Sequence, residues 1–252
     1  MVKGLPELYD NICIELNNEK FIDWILNPAI KFCPGMICNA SIWYVKKDRW
    51  YLDEANYDPL NEEDSTWYAR KYIKKYPSST SHNIMKYFQL ENDERLITTT
   101  GKERPVILLN SNIDKWLNLT NTTHHVNNWL CIPVFSYKDR HIQNYVLDQQ
   151  RLNDPTSFYM PPRYNNNPGL TLESSARFYT VQMINEEHLN PIKNMHDGSQ
   201  MNRPIGLTKT GLEIMMYHFY NQFNLFPELE NASTLYTLFK EGVNTILNNT
   251  SN

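Results

Sequence analysis

The chain has 252 residues, 41% of them hydrophobic and 13% aromatic, with a formal net charge of -4 and a pI near 6.0. That length allows one large domain or two small ones, and the aromatic load supplies a sizeable core. The mild acidity excludes a protein that holds nucleic acid through its global charge, so any basic site has to be a local patch.

From the N-terminus, residues 5–32 read as helix. Leu8, Ile12 and Leu16 recur at four-residue spacing, Phe21, Trp24 and Ile25 open a second apolar face, and Pro28 ends or kinks the segment. Cys33-Pro34-Gly35 is a turn. ASIWYV at 40–45 and RWYL at 49–52 then read as a hairpin of aromatic-rich strands. An acidic cluster at 61–64 precedes STWYARKYIKKY at 65–76, which predicts a helix with acids at its positive end. Arg70, Lys71, Lys74 and Lys75 interleave there with Tyr68, Tyr72 and Tyr76. That is either a solvated face or an aromatic–cationic surface for RNA.

The stretch 101–141 organises the rest. Its two apolar runs, 106–109 and 129–135, are too short and too continuous for a helical stripe and predict two buried strands. Lys102, Glu103 and Arg104 precede the first run, and Ser136, Lys138, Asp139, Arg140 and His141 follow the second. Paired strands would set these groups on one rim. His124 and His125 are adjacent, point to opposite faces of an extended segment and make a poor chelate.

Residues 142–152 fit no single pattern, 158–160 predict a short strand, and SARFYTVQMI at 175–184 predicts a longer one. Thr210 and Glu213 have the spacing of a capping box, opening a helix with the stripe Leu212, Met215, Met216, Phe219 and Phe223. A last helix at 233–247 carries Leu235, Leu238, Phe239, Val243 and Ile246. The expected fold is α+β. Residues 96–252 form a small curved antiparallel sheet or SH3-like barrel with packed helices, and residues 1–95 add helices and a β-hairpin.

The cysteines Cys13, Cys33, Cys38 and Cys131 lack zinc-ligand spacing and read as buried thiols, so no metal or other cofactor is expected. No Walker motif or dinucleotide fingerprint is present. The N-terminal residues lack a signal peptide's apolar region and no apolar run reaches membrane-spanning length, which predicts a cytoplasmic protein away from membranes.

Three blocks, KERPVILLN at 102–110, CIPVFS at 131–136 and GLTLESSARFYTVQMINEEHL at 169–189, together resemble the MazF/PemK-like toxin endoribonucleases over residues 98–225. The resemblance implies metal-independent cleavage of single-stranded RNA by a homodimer, held off by an acidic antitoxin protein that occupies the RNA groove. Such cleavage needs a base for the 2′-OH, a cation for the phosphorane and an acid for the leaving oxygen. Arg104 is the candidate cation, because its planar fork stays charged and binds two phosphate oxygens; the resemblance also makes it a proton donor. Ser136 would hydrogen-bond the scissile phosphate, and His141 would serve as acid or base. Lys102, Lys138 and Arg140 would line the groove. Where that family places a Thr, this chain has Phe135, and the hydroxyl comes one residue later at Ser136. A one-residue step reverses the face unless a bulge intervenes.

The N-terminal part carries a second resemblance. Helix 5–32 followed by ASIWYVKKDRWYL looks like the opening of a GAF-type sensor domain, with WLCIPVFS as an inner strand. That implies a non-enzymatic module binding a small ligand in an aromatic-lined pocket, and six strands between N- and C-terminal helices would favour it. A protein-interaction domain is the third alternative.

Overall fold

The computed structural model describes residues 5–17, 19–27, 29–43, 50–56, 66–71, 97–98, 101–110, 128–138, 143–195, 202–223 and 230–249. The chain divides into two compact units, Met1–Ala40 with Glu103–Asn252, and Ser41–Lys102. The first forty residues therefore belong with the C-terminal part, which differs from a division near residue 95.

In the larger unit, helix α1 spans Leu5–Asn17. Tyr9, Ile12 and Cys13, at three- and four-residue spacing, enter the core. The helix expected to reach residue 32 stops at 17, where a polar stretch breaks the stripe, and the next apolar residues form strand β1, Ile22–Trp24. The chain then builds β2 (Ile37–Trp43), which runs on into the second unit.

The smaller unit holds β3 (Trp50–Asn56), β4 (Thr66–Lys71) and β5 (Ile97–Thr98), antiparallel in the order β4-β3-β5. The helix expected at 65–76 is a strand where it is described: Trp50 pairs with Lys71 and Glu54 with Trp67. Thr, Trp and Tyr suit a pleated surface, and cross-strand pairing overrides a modest helix preference. The expected hairpin of 40–45 with 49–52 is also replaced. β2 and β3 lie in different sheets, and β3 pairs with β4.

The chain returns through β6 (Gly101–Asn110) and β7 (Asn128–Ser136), the two strands expected from the apolar runs. Helix α2 (Gln143–Gln150) and strands β8 (Ser157–Met160), β9 (Ser174–Arg177), β10 (Gln182–Asn185), β11 (Asn190–Pro191), β12 (Lys193–Met195) and β13 (Asn202–Leu207) follow. The strand expected at 175–184 is two strands, because a 3-10 turn at Phe178–Thr180 interrupts it and sends Phe178 into the core. One sheet of seven strands has the order β11-β2-β6-β7-β9-β8, with β10 also on β7. β7 is an inner strand: Cys131 pairs with Leu108 on one edge and with Gln182 on the other. A smaller sheet has the order β1-β13-β12. The fold is α+β with antiparallel strand pairing, and among the described residues the sheets do not close into a barrel.

Two C-terminal helices complete the unit, α3 (Lys209–Phe223) and α4 (Glu230–Asn249). Ile214 and Met215 of α3, and Tyr236, Phe239, Val243 and Leu247 of α4, pack with α1 against Ile107, Leu109, Ile132, Val134 and Ala176 of the sheet. Of the apolar residues that α4 carries, Leu238 and Ile246 are exposed. Aromatic rings join the layers: Tyr9 lies 5.3 Å from Phe21 and 4.9 Å from Phe239, and Phe21 lies 5.7 Å from Phe158. The cap of α3 is Thr208, whose hydroxyl accepts from Gly211 N at 3.2 Å. Thr210, the residue expected to cap, is already helical and binds Glu19 Oε2 through its backbone N and hydroxyl. Gly35 takes φ +83, a left-handed conformation that suits glycine, and its N–H donates to Leu108 O at 2.7 Å. Among the described residues no helix is long and apolar enough to cross a membrane.

Candidate functional site

The inner position of β7 determines what its side chains meet. Val106 pairs with Pro133, which sets Arg104 beside Phe135 two residues along the same face. On the other edge Phe135 pairs with Ser175, and Arg177 is the next residue of β9 on that face. Both arginines reach the ring. Arg104 Cζ lies 4.5 Å and Arg177 Cζ 4.4 Å from the Phe135 centroid. Phe135 is 8% exposed, with a guanidinium from each neighbouring strand against its ring. Each such stack contributes on the order of 0.5–2 kcal/mol, more as water is excluded.

Arg177 links this pair to a cleft. Its Nη1 donates to the Tyr179 hydroxyl at 3.1 Å. Tyr179, 55% exposed, lines a cleft of about 460 Å3 with Tyr145 and Asp148 of α2 and with Asn153, Asp154 and Thr156 of the following turn.

The turn is held from below. The Asp154 carboxylate accepts from Thr156 N (2.9 Å), Thr156 Oγ1 (2.6 Å), Ser157 Oγ (2.7 Å) and Gln149 Nε2 (2.9 Å). Partial burial works to raise its pKa, but these hydrogen bonds prevail and hold it below the usual carboxylate range. Gln149 Oε1 in turn accepts from the Tyr137 hydroxyl. Glu173 accepts from Tyr159 (2.6 Å) and Gln150 (3.0 Å). Burial pushes the Tyr137 and Tyr159 phenols up, so both remain neutral donors. Behind the turn, His218 Nε2 faces Asp154 O at 2.9 Å and Ser157 O at 3.1 Å, and its Nδ1 faces the Tyr236 hydroxyl at 2.7 Å. Two carbonyl partners require the proton on Nε2, which leaves Nδ1 to accept from Tyr236.

Of the residues singled out in the sequence, Arg104 is in this cluster. Ser136 ends β7, pairs with Ser174, and by alternation faces away from Phe135 and Arg104. The β7–β9 register runs unbroken through 134–136, and the irregularity on the other edge lies between Leu108 and Asn110, so no bulge returns Ser136 to that face. Lys102 is exposed on β6, at the end of the smaller unit, and Lys138 is exposed just beyond β7. Arg140, His141 and the His124–His125 pair lie outside the described residues. Arg177, Tyr179 and Tyr145 were not singled out. Arg177 and Tyr179 share parity in the 175–184 block, but only the placement of β9 beside β7 gives that parity a meaning.

Among the described residues no group of three His, Cys, Asp or Glu is placed to hold a metal ion. The four thiols are free; burial pushes Cys38 and Cys131 up to about 12 and also raises Cys13 and Cys33. A second cavity, of about 690 Å3, lies between the end of α1, β1 and the start of α3, but its wall includes Leu26, which is 95% exposed. The two-arginine cluster is the better defined site, with two guanidiniums on one aromatic ring and one of them hydrogen-bonded to a cleft tyrosine. Compared with known families, with curated proteins and with solved structures, the chain matches none.

Proposed function

We propose that this chain is a non-enzymatic, cytoplasmic ligand-binding module of the sensor type, taking a small anionic, ring-bearing ligand in the Tyr145–Tyr179 cleft beside Arg177 and Arg104. The observation that carries this reading is the pair of guanidiniums on the Phe135 ring, one of them hydrogen-bonded to a cleft tyrosine. Paired arginines neutralise an anion and orient it. Tyrosine faces stack on a ring, and 460 Å3 falls within the range of small-molecule sites, about 300–1,000 Å3. One feature of the fold agrees with this reading, the inner position of β7 in an open sheet, although that sheet has seven strands where six would favour it. Thermal unfolding with a panel of aromatic phosphates and carboxylates is the test. A ligand at a hundred times its Kd adds about 2.7 kcal/mol to stability. A rise in Tm that Tyr179→Ala abolishes supports the proposal, and a panel that never moves Tm removes it.

The same arginines favour a second reading, metal-independent cleavage of single-stranded RNA by a homodimeric toxin with an acidic antitoxin partner. Arg104 would steady the phosphorane, Ser136 lies on the other face, and Arg177 holds the Tyr179 hydroxyl. RNA incubated with the protein in EDTA decides it. Cleavage that Arg104→Ala abolishes supports this reading, and intact RNA removes it.

A further inference from the structure

We infer that the ligand of the arginine pair and the cleft is a nucleotide, with its phosphate on Arg104 and Arg177 and its base in the cleft. The inference rests on the ligand-binding reading and names its chemistry. Arg177 stands at the junction, its guanidinium over Phe135 and its Nη1 on the hydroxyl of Tyr179. A ligand there meets cations at one end and an exposed tyrosine face at the other. The rest of the cleft is polar. Asp148, Asn153, Asp154 and Thr156 line it along with Tyr145 and Tyr179. A plain aryl ring offers no hydrogen-bond partner to Asp148 or Asn153 when it displaces their water, an unfavourable exchange. A nucleobase edge carries both donors and acceptors and satisfies them.

The side chains also point to a kind of base. Asp154 already accepts four hydrogen bonds, so it shapes the turn and does not read the ligand. Asp148 is exposed on α2 at the cleft wall, and a carboxylate accepts hydrogen bonds without donating any. It fits an exocyclic amino group, which adenine, cytosine and guanine carry and uracil lacks. Asn153 offers both a donor and an acceptor beside it. The nucleotide unit has two sources, a free nucleotide or a residue of single-stranded RNA, and both present the same phosphate and base.

Equilibrium titration of the full chain tests the inference. The probes are adenosine monophosphate, uridine monophosphate, adenosine, inorganic phosphate, benzoate and a short single-stranded RNA, against wild type, Tyr179→Ala and Asp148→Asn. Both substituted side chains are at the surface, and circular dichroism checks that the fold is kept. Adenosine monophosphate should bind more tightly than adenosine or phosphate alone, and Tyr179→Ala should weaken it by about tenfold, the effect of losing one stacking face. Asp148→Asn should erase the preference for adenosine over uridine monophosphate. RNA binding more tightly than the mononucleotide, with a steep salt dependence, identifies the polymer as the source. RNA that fails to compete with the mononucleotide identifies the free nucleotide. Benzoate binding that Tyr179→Ala weakens, with no nucleotide binding, overturns the inference and leaves the ligand-binding reading standing. No binding of any probe removes both.

Discussion

His218 Nδ1 and the Tyr236 hydroxyl lie 2.7 Å apart, joining α3 to α4, while the other nitrogen of the same ring holds the Asp154–Ser157 turn that walls the cleft. One buried neutral imidazole therefore ties the C-terminal helices to the candidate site. Tyr236→Phe removes the donor and leaves Nδ1 buried without a partner, which should cost about 1–3 kcal/mol. Urea unfolding of the two proteins measures it, and equal midpoints would show that the hydrogen bond contributes nothing.

The same ring predicts an acid dependence. Burial lowers the His218 pKa below 6.5, so the unfolded chain binds a proton that the folded chain resists. The stability it contributes is fully present above about pH 6.5 and is lost as pH falls from there towards the folded value. Asp154 acts lower on the scale. Its pKa is depressed from 3.8, so its contribution is present above that value and fades as pH falls through the folded one. Unfolding free energy measured from pH 8 to pH 4 should decline below 6.5, and His218→Gln should flatten that step.

Gly211 sets helix propensity against packing. In a helix interior Ala is favoured over Gly by about 1 kcal/mol. A Cβ at Gly211 would stand 2.5 Å from the carbonyl oxygen of Phe21, a backbone atom that cannot swing aside. The clash wins, and Gly211→Ala should destabilise by about 1–3 kcal/mol, the usual cost of overpacking. A raised Tm would show that the Phe21 segment yields easily.

Thiol reactivity should separate into two classes. Cys13, Cys38 and Cys131 are fully buried, and burial keeps their thiolates scarce. Cys33 is only half-buried. A thiol reagent on the native protein should label one site quickly and three only on unfolding, with Cys33→Ser removing the fast phase. Fast labelling of two or more sites would contradict the packing around β2 and β7.

How much of this was legible in the sequence depends on what set each feature. β6 and β7 showed as short continuous apolar runs, because strands buried on both faces have no polar alternation. The face reversal at Phe135–Ser136 was legible too, since it needs only the period of two. β4 was not: TWYARK suits a helix and a strand alike, and β3 decided between them. The cap of α3 is not decided by the sequence, because Thr208 and Thr210 both suit the role, and Glu19, distant in sequence, occupies the second. Arg104 stood out beside an apolar run, whereas Arg177 joined the site only through the register of β9 on β7. Tyr145 lies on a helix whose polar sequence gave no period to read.

The most direct measurement is the NMR spectrum of the arginine side-chain Nε–H groups during titration with adenosine monophosphate, with Arg104→Lys and Arg177→Lys giving the assignments. The account predicts that the Arg104 and Arg177 resonances shift together and saturate with one Kd, and that Tyr179→Ala weakens that Kd by about tenfold. Saturable nucleotide binding that leaves both resonances unmoved would place the ligand elsewhere and contradict the assignment of this cluster as the binding site.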